Sequence, residues 1–165
     1  MESTGDKPMR FCSFRLAERL FGVSIQDVKE IGSDVQVTSI PHAPPAVRGY
    51  MNIRGQIHLV IDLRTLFRFE RVEVTSLTKV VIFKPRVDDP FGVLVDQVAD
   101  VVEADERDIV ERRSEKDADE NSDAEKRKAP KSLSLGVTKL DKELMIVLNA
   151  RGILDTVYSH ETSAI

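Results

Sequence analysis

The chain has no tryptophan, one cysteine and nine aromatic residues among 165. Its core must therefore be filled mainly by Val, Ile and Leu, side chains that suit pleated, half-buried strands. Scarce aromatics also leave few flat platforms for stacking sugar rings. Cys12 has no partner for an intramolecular disulfide, and no apolar signal-peptide core lies near Met1. Both features point to a reduced, cytosolic setting. Wholly apolar runs reach only about five residues, against the ~20 of a membrane-spanning helix, so direct membrane insertion is not expected. Charge is nearly balanced, with 24 basic and 28 acidic residues and a net charge of -4. Without a clustered basic face, nucleic acid is not an expected partner.

Several chemistries are missing too. His42, His58 and His160 lack metal-ligand spacing, and no second cysteine could join them, so no metal is expected. No glycine-rich phosphate loop is present, and no cofactor is implied. Asp88-Asp89 precedes Pro90 in a hairpin-turn pattern, where Asp is favoured for local hydrogen bonds. Paired catalytic carboxylates would instead converge from different elements, and no nucleophile–base set is visible. No catalytic residue is assigned.

What is present is a series of short strands. Residues 1–9 read as a disordered leader. Cys12, Phe14 and Leu16 then alternate along a strand, and Leu20–Ser24 reads as its hairpin partner. The Ser24-to-Asp27 spacing predicts a short capped helix over Ile25, Val28 and Lys29. Val35–Ile40 alternates again and stops at the Pro41, Pro44, Pro45 cluster, which cannot occupy a central strand. Tyr50–Ile53 and Ile57–Ile61 form another hairpin pattern around Arg54-Gly55-Gln56. Asp62 is a candidate N-cap for a helix carrying Leu63, Leu66 and Phe67.

From Lys79 the pattern restarts. A shift of 70 residues places Phe21-Gly22-Val23 on Phe91-Gly92-Val93, Val28 on Val98, and the strand Phe11–Leu16 on Val81–Arg86. Further on the shift is 87, placing Gly49 on Gly136, Val60 on Val147, Asp62 on Asn149 and Arg64 on Arg151. The difference implies about 17 extra residues, and 111–132 supplies a location: 22 residues without Val, Ile, Leu, Met or Phe. Such a segment cannot bury enough apolar surface to offset its ordering entropy, so a disordered charged loop is expected there. The expected fold class is all-β. Two tandem five-stranded barrels, about 10–77 and 78–156, carry short helices and are followed by a loose tail over 157–165.

Val28-Lys29-Glu30-Ile31, Gly49-Tyr50-Met51-Asn52-Ile53-Arg54-Gly55 and Val60-Ile61-Asp62-Leu63 resemble the signature of the CheW family of chemotaxis coupling proteins. Gly92–Val98 and Leu144–Asn149 fit the same family, and the resemblance covers about 10–156. It implies SH3-like barrels around a shared core. It also implies a non-enzymatic scaffold joining the cytoplasmic tip of a chemoreceptor to the regulatory domain of a histidine kinase. The protein would be cytoplasmic and recruited to membrane-associated receptor arrays. Carried over by motif, Glu30, Gly49, Asn52 and Arg54 lie at or beside the receptor groove, with Val28 a further candidate. Leu59 departs from the family's usual proline, which should leave its strand one more backbone donor. The charged insertion is longer than the family pattern, and no receiver-like segment follows Leu154.

Each candidate also has a plain structural reading. Arg54 is either a planar donor fork for a partner or a solvated turn residue; its repeat position holds Asp141, so the barrel itself does not require arginine there. Glu30 either pairs with a basic partner or is simply a polar residue ending a helix. Gly49 recurs as Gly136, which suggests a backbone requirement. Cys12 reads as a small buried hydrophobe. The alternatives to a scaffold are an isolated ligand-binding barrel and, less well supported, a hydrolase.

Overall fold

A computed structural model of the chain describes residues 8–110 and 133–162; side chains are described to residue 159. The expected disordered loop at 111–132 and residues 1–7 of the expected leader lie outside those residues; the leader's last residue, Met9, is instead drawn into the first strand by pairing with Ala104. β1 (Met9–Leu16) and β2 (Arg19–Ser24) form a hairpin. A single 3-10 turn at Ile25–Asp27 leads into β3 (Val28–Gly32). The helix expected over Ile25–Lys29 does not form: Ser24 makes no side-chain cap bond, and Val28 is taken up by strand pairing with Phe83. β4 (Val47–Ile53) and β5 (Gln56–Asp62) make the expected hairpin around Arg54-Gly55. α1 (Leu63–Leu66) follows, and the Asp62 carboxylate accepts from the Arg64 N–H as an N-cap.

The second repeat contains β6 (Lys79–Phe83), β7 (Phe91–Val95), β8 (Gln97–Ala104), β9 (Ser134–Lys139) and β10 (Leu144–Leu148). It ends in α2 (Arg151–Thr162). The loose tail expected from 157 is corrected here. Helix α2 runs on to Thr162, and Val157 is buried with Ile153 and Leu154 in the main core. Three apolar residues at helical spacing hold the segment down. Likewise, Val35–Ile40 is not a strand. Only Thr38 bridges to Tyr50, by two backbone hydrogen bonds of 2.8 Å.

The strands form two five-stranded sheets, ordered β8-β1-β2-β10-β9 and β3-β6-β7-β5-β4. The repeat boundary falls between β5 and β6 as expected, but the sheets do not respect it. Each takes two strands from one repeat and three from the other. Contiguous barrels of 10–77 and 78–156 are therefore replaced by exchanged ones. The exchange is made by four pairings, the parallel β2 with β10 and β5 with β7 and the antiparallel β1 with β8 and β3 with β6. Alternation along a strand says which face is buried, not which strand lies beside it.

The pairings refine the repeat to the residue. Leu59 opposite Phe91 in one sheet corresponds to Ile146 opposite Phe21 in the other, at shifts of 87 and 70. However, Val81 pairs with Val93 while Cys12 pairs with Val23, so β1 and β6 are related by 69 residues. A register change recurs at equivalent places, between Val28 and Glu30 and between Cys12 and Phe14. The bridges Thr38–Tyr50 and Val110–Val137 extend each sheet toward barrel closure. They are offset by 72 at the first residue and 87 at the second, so two extra residues precede Val110 and 15 follow it.

Three apolar clusters result. Val35, Met51, Val60, Val80, Ile82 and Leu94 fill one barrel, and Phe11, Leu20, Met145 and Val147 fill the other. The largest lies between them and receives α1 and α2. Six of the seven phenylalanines belong to this seam or pack against it, with Phe83 and Phe91 stacked at 4.8 Å. Each buried ring contributes about 1.5–3 kcal/mol. These six phenylalanines thus help bind the two barrels into one unit.

Candidate functional site

The hairpin of β4 and β5 turns through Arg54 and Gly55 at φ of 51° and 84°. Positive φ at both positions is the turn whose twist matches paired strands, and Gly55 accepts it without strain. Asn52 secures the turn: its Oδ1 accepts from the Gly55 N–H at 2.9 Å. The turn lifts the Arg54 side chain away from the barrel, where it is 79% exposed. Its Nη2 lies 3.1 Å from a carboxylate oxygen of Glu30, whose side chain is 24% exposed. Three of the residues carried over by motif, Glu30, Asn52 and Arg54, therefore meet at one rim of the β3–β4 barrel.

The other two do not join them. Val28 pairs with Phe83 and packs against the core between the barrels, whereas Glu30 pairs with Ile82, which belongs to the barrel interior. The register change between them puts Val28 and Glu30 on different faces. Gly49 lies at φ 144°, and a Cβ there would stand 2.0 Å from the Thr38 carbonyl oxygen. Gly136 repeats this at φ 146°, with Val110 O at 2.6 Å. Both glycines let the bridging segment approach β4 or β9, a backbone requirement of each barrel.

Leu59 spends the donor that proline would lack. Its N–H donates to the Pro90 carbonyl at 3.0 Å where β5 meets β7, an interior position of the sheet.

A second charged cluster escaped the sequence reading. Asp96, just after β7, accepts from Arg64 Nε at 3.1 Å and forms an ion pair with the same guanidinium. It also accepts from the Ala17 N–H at 2.9 Å. One carboxylate thus ties α1 to the β1–β2 turn, where Ala17 and Glu18 both hold positive φ. Partial burial pulls the Asp96 pKa up, but the Arg64 and Ala17 hydrogen bonds and the Arg64 charge together bring it below its ordinary value. Arg48 makes a buried pair with Asp62 at 3.5 Å and donates to Val72 O at 3.1 Å. The only sequence signal for Asp96 was an acid ending the apolar run Phe91–Val95. Its partners are 32 and 79 residues away.

Among the described residues, no three His, Cys, Asp or Glu side chains gather as a metal site. No described helix is long and apolar enough to cross a membrane. The rim presents an exposed guanidinium on a hydrogen-bonded turn beside a carboxylate, a planar donor group of the kind that pairs with carboxylates or carbonyls.

Comparison with known proteins agrees with this architecture. A CheW-like domain model matches residues 10–157. The chain is similar to the chemotaxis protein CheW of Treponema pallidum, 31% identical over 111 residues, which are 65% of each chain. It thus spans just under two thirds of that relative. The match to the chemotaxis protein CheW of Bacillus subtilis is 26% over 152 residues, covering 92% of this chain and 88% of that one. The crystal structure of the scaffolding protein TtCheW from Thermoanaerobacter tengcongensis superposes with a TM-score of 0.71 at 28% identity. It covers 87% of this chain and 90% of that one. With its signature residues, its paired five-stranded sheets and a family match over nearly all the described chain, this protein belongs to the CheW-like domain family.

Proposed function

We propose that the chain is a non-enzymatic chemotaxis scaffold that couples a chemoreceptor to a histidine kinase. On this reading it binds the receptor's cytoplasmic tip and the kinase's regulatory domain. It works in the cytoplasm and is recruited to membrane-associated receptor arrays. The observation that carries the receptor contact is the Arg54–Glu30 pair at 3.1 Å on an exposed turn. The equivalent β9–β10 turn has Asp141 at the position of Arg54, and Leu140 N–H donates there to Glu143 O at 2.8 Å. The fold therefore makes this turn without arginine, which favours a role outside the fold for Arg54.

The alternative, an isolated ligand-binding barrel, finds less support. Each barrel interior is filled by its own apolar side chains. A pull-down with a receptor tip and a kinase regulatory domain tests the proposal. Capture of both partners is expected from the wild type, and Arg54→Glu should lose the receptor while keeping the kinase. Undiminished receptor capture by Arg54→Glu would remove Arg54 from the contact. Failure to capture either partner would overturn the scaffold reading itself.

A further inference from the structure

The chain crosses between the two barrels twice. Strands β3 to β7 are consecutive and form one sheet, while β1, β2, β8, β9 and β10 form the other. One crossing runs from β2 to β3 through 25–27, and the other from β7 to β8 through Asp96 alone. The repeat relates these links, since a shift of 70 places Val95 on Ile25 and Val98 on Val28.

They are held very differently. The Asp96 N–H donates to Arg15 O at 3.1 Å, and its carboxylate accepts from the Ala17 N–H at 2.9 Å, both in the β1–β2 hairpin. The same carboxylate takes the guanidinium of Arg64, which lies in α1 at the end of β5 and so belongs to the other barrel. Arg64 is itself fixed. Its Nη1 donates to Glu70 O at 2.9 Å, and its carbonyl accepts from the Phe69 N–H at 2.8 Å. Phe69 in turn meets Arg19, just past the hairpin turn, whose guanidinium lies 5.5 Å from the ring centre. The β1–β2 turn is thus gripped on both flanks. At the other link, the positions of Asp96 and Arg64 hold Gln26 and Arg151, both exposed. There Asp27 O accepts from the Lys84 N–H at 2.8 Å, and a half-exposed Arg86 stands 3.7 Å from the Asp27 carboxylate. An ion pair as open as that one contributes little.

We propose that Asp96 is a latch that fixes the angle between the two barrels. Apolar burial in the seam is non-directional and sets how much surface meets. Hydrogen bonds to an ionised group are directional and stronger than neutral ones, so a carboxylate bonded to both barrels sets how they are turned. The turn that it grips is strained, with φ of 50° at Ala17 and 67° at Glu18, and relaxes once released. A partner touching both barrels would meet a preset geometry. This inference uses none of Glu30, Asn52 or Arg54, and it does not depend on the receptor reading.

The test is the distance between spin labels on the full chain, measured by double electron–electron resonance with Cys12 replaced by alanine. One pair, Lys29→Cys with Lys139→Cys, spans the barrels from β3 to β9. A second pair, Val101→Cys with Lys139→Cys, lies within one barrel, and all three positions are exposed. With Asp96 in place, both pairs should give narrow distance distributions. Asp96→Ala should shift or broaden the between-barrel distribution by more than its original width and leave the within-barrel one unchanged. Arg86→Gln, at the other link, should change neither. Should Asp96→Ala fold poorly, Arg64→Gln, which keeps the carboxylate on Ala17, should move the between-barrel distance, and Arg64→Lys should restore most of it. An unmoved between-barrel distance in Asp96→Ala or Arg64→Gln would mean that the seam alone sets the angle, and would overturn the proposal. So would a shift of both pairs together, which marks a damaged barrel, or an equal shift from Arg86→Gln.

Discussion

Gly49→Ala tests whether this glycine serves the barrel or a partner. At φ 144° an alanine sits in a backbone region occupied almost only by glycine, at a cost of about 1–3 kcal/mol. Its Cβ would also fall 2.0 Å from the Thr38 carbonyl oxygen, so the bridge must open. That loses two backbone hydrogen bonds, Thr38 N to Tyr50 O and Tyr50 N to Thr38 O, both 2.8 Å. Each is worth about 1 kcal/mol net. Reduced freedom of the unfolded chain returns about 0.4–1 kcal/mol. The expected loss is therefore about 3 kcal/mol, or a melting temperature lower by roughly 6–12 °C for a chain of this size. Urea denaturation should show a lower midpoint with an unchanged slope. Gly136→Ala, facing Val110 O at 2.6 Å, should behave alike. A loss under about 1 kcal/mol for Gly49→Ala would refute the reasoning. So would a mutant of wild-type stability that no longer captures the receptor, which would return Gly49 to the binding surface.

Arg54→Glu should change stability by no more than about 1 kcal/mol, since exposed ion pairs are worth little, while receptor capture is lost. Asp96→Asn should lower stability at neutral pH. The folded-state pKa of Asp96 is depressed, so its stabilisation is present above the unfolded value and disappears as pH falls through the folded one. Denaturation curves of wild type and Asp96→Asn should therefore converge below about pH 4; a constant gap down to pH 2 would contradict this. Ile153→Ala, at a fully buried position of α2, should cost about 2–5 kcal/mol. A near-neutral result in thermal melts would mean that the helix is not held by the seam. Replacing Glu115–Lys128 with a short Gly/Ser linker should leave the melting temperature nearly unchanged, because closure entropy varies slowly with loop length.

Much of the local structure was legible. The Arg54-Gly55 turn, the Asp62 cap and the repeat boundary all follow from short-range pattern, because turn dihedrals and N-caps depend on neighbouring residues. Errors arose where a distant partner decided. Val28 reads as helix from its neighbours, yet Phe83 draws it into a strand. Val157 reads as tail, yet the core seam gives its helix a surface to bury. In the candidate site, Glu30 and Arg54 were legible as separate residues, and their pairing was not. Asp96 was invisible as a tie because Arg64 and Ala17 approach it from other elements.

The sequence by itself determined the hairpins around 17–18 and 54–55, the two equivalent glycines and the position of the charged insertion. These rest on side-chain alternation and backbone preference, which act over a few residues. Only the tertiary structure decided that the repeats exchange strands through β2–β10, β1–β8, β5–β7 and β3–β6. It alone also placed six of the seven phenylalanines at the seam. Those outcomes depend on which burial surfaces meet, and alternation along one strand carries no information about its neighbour.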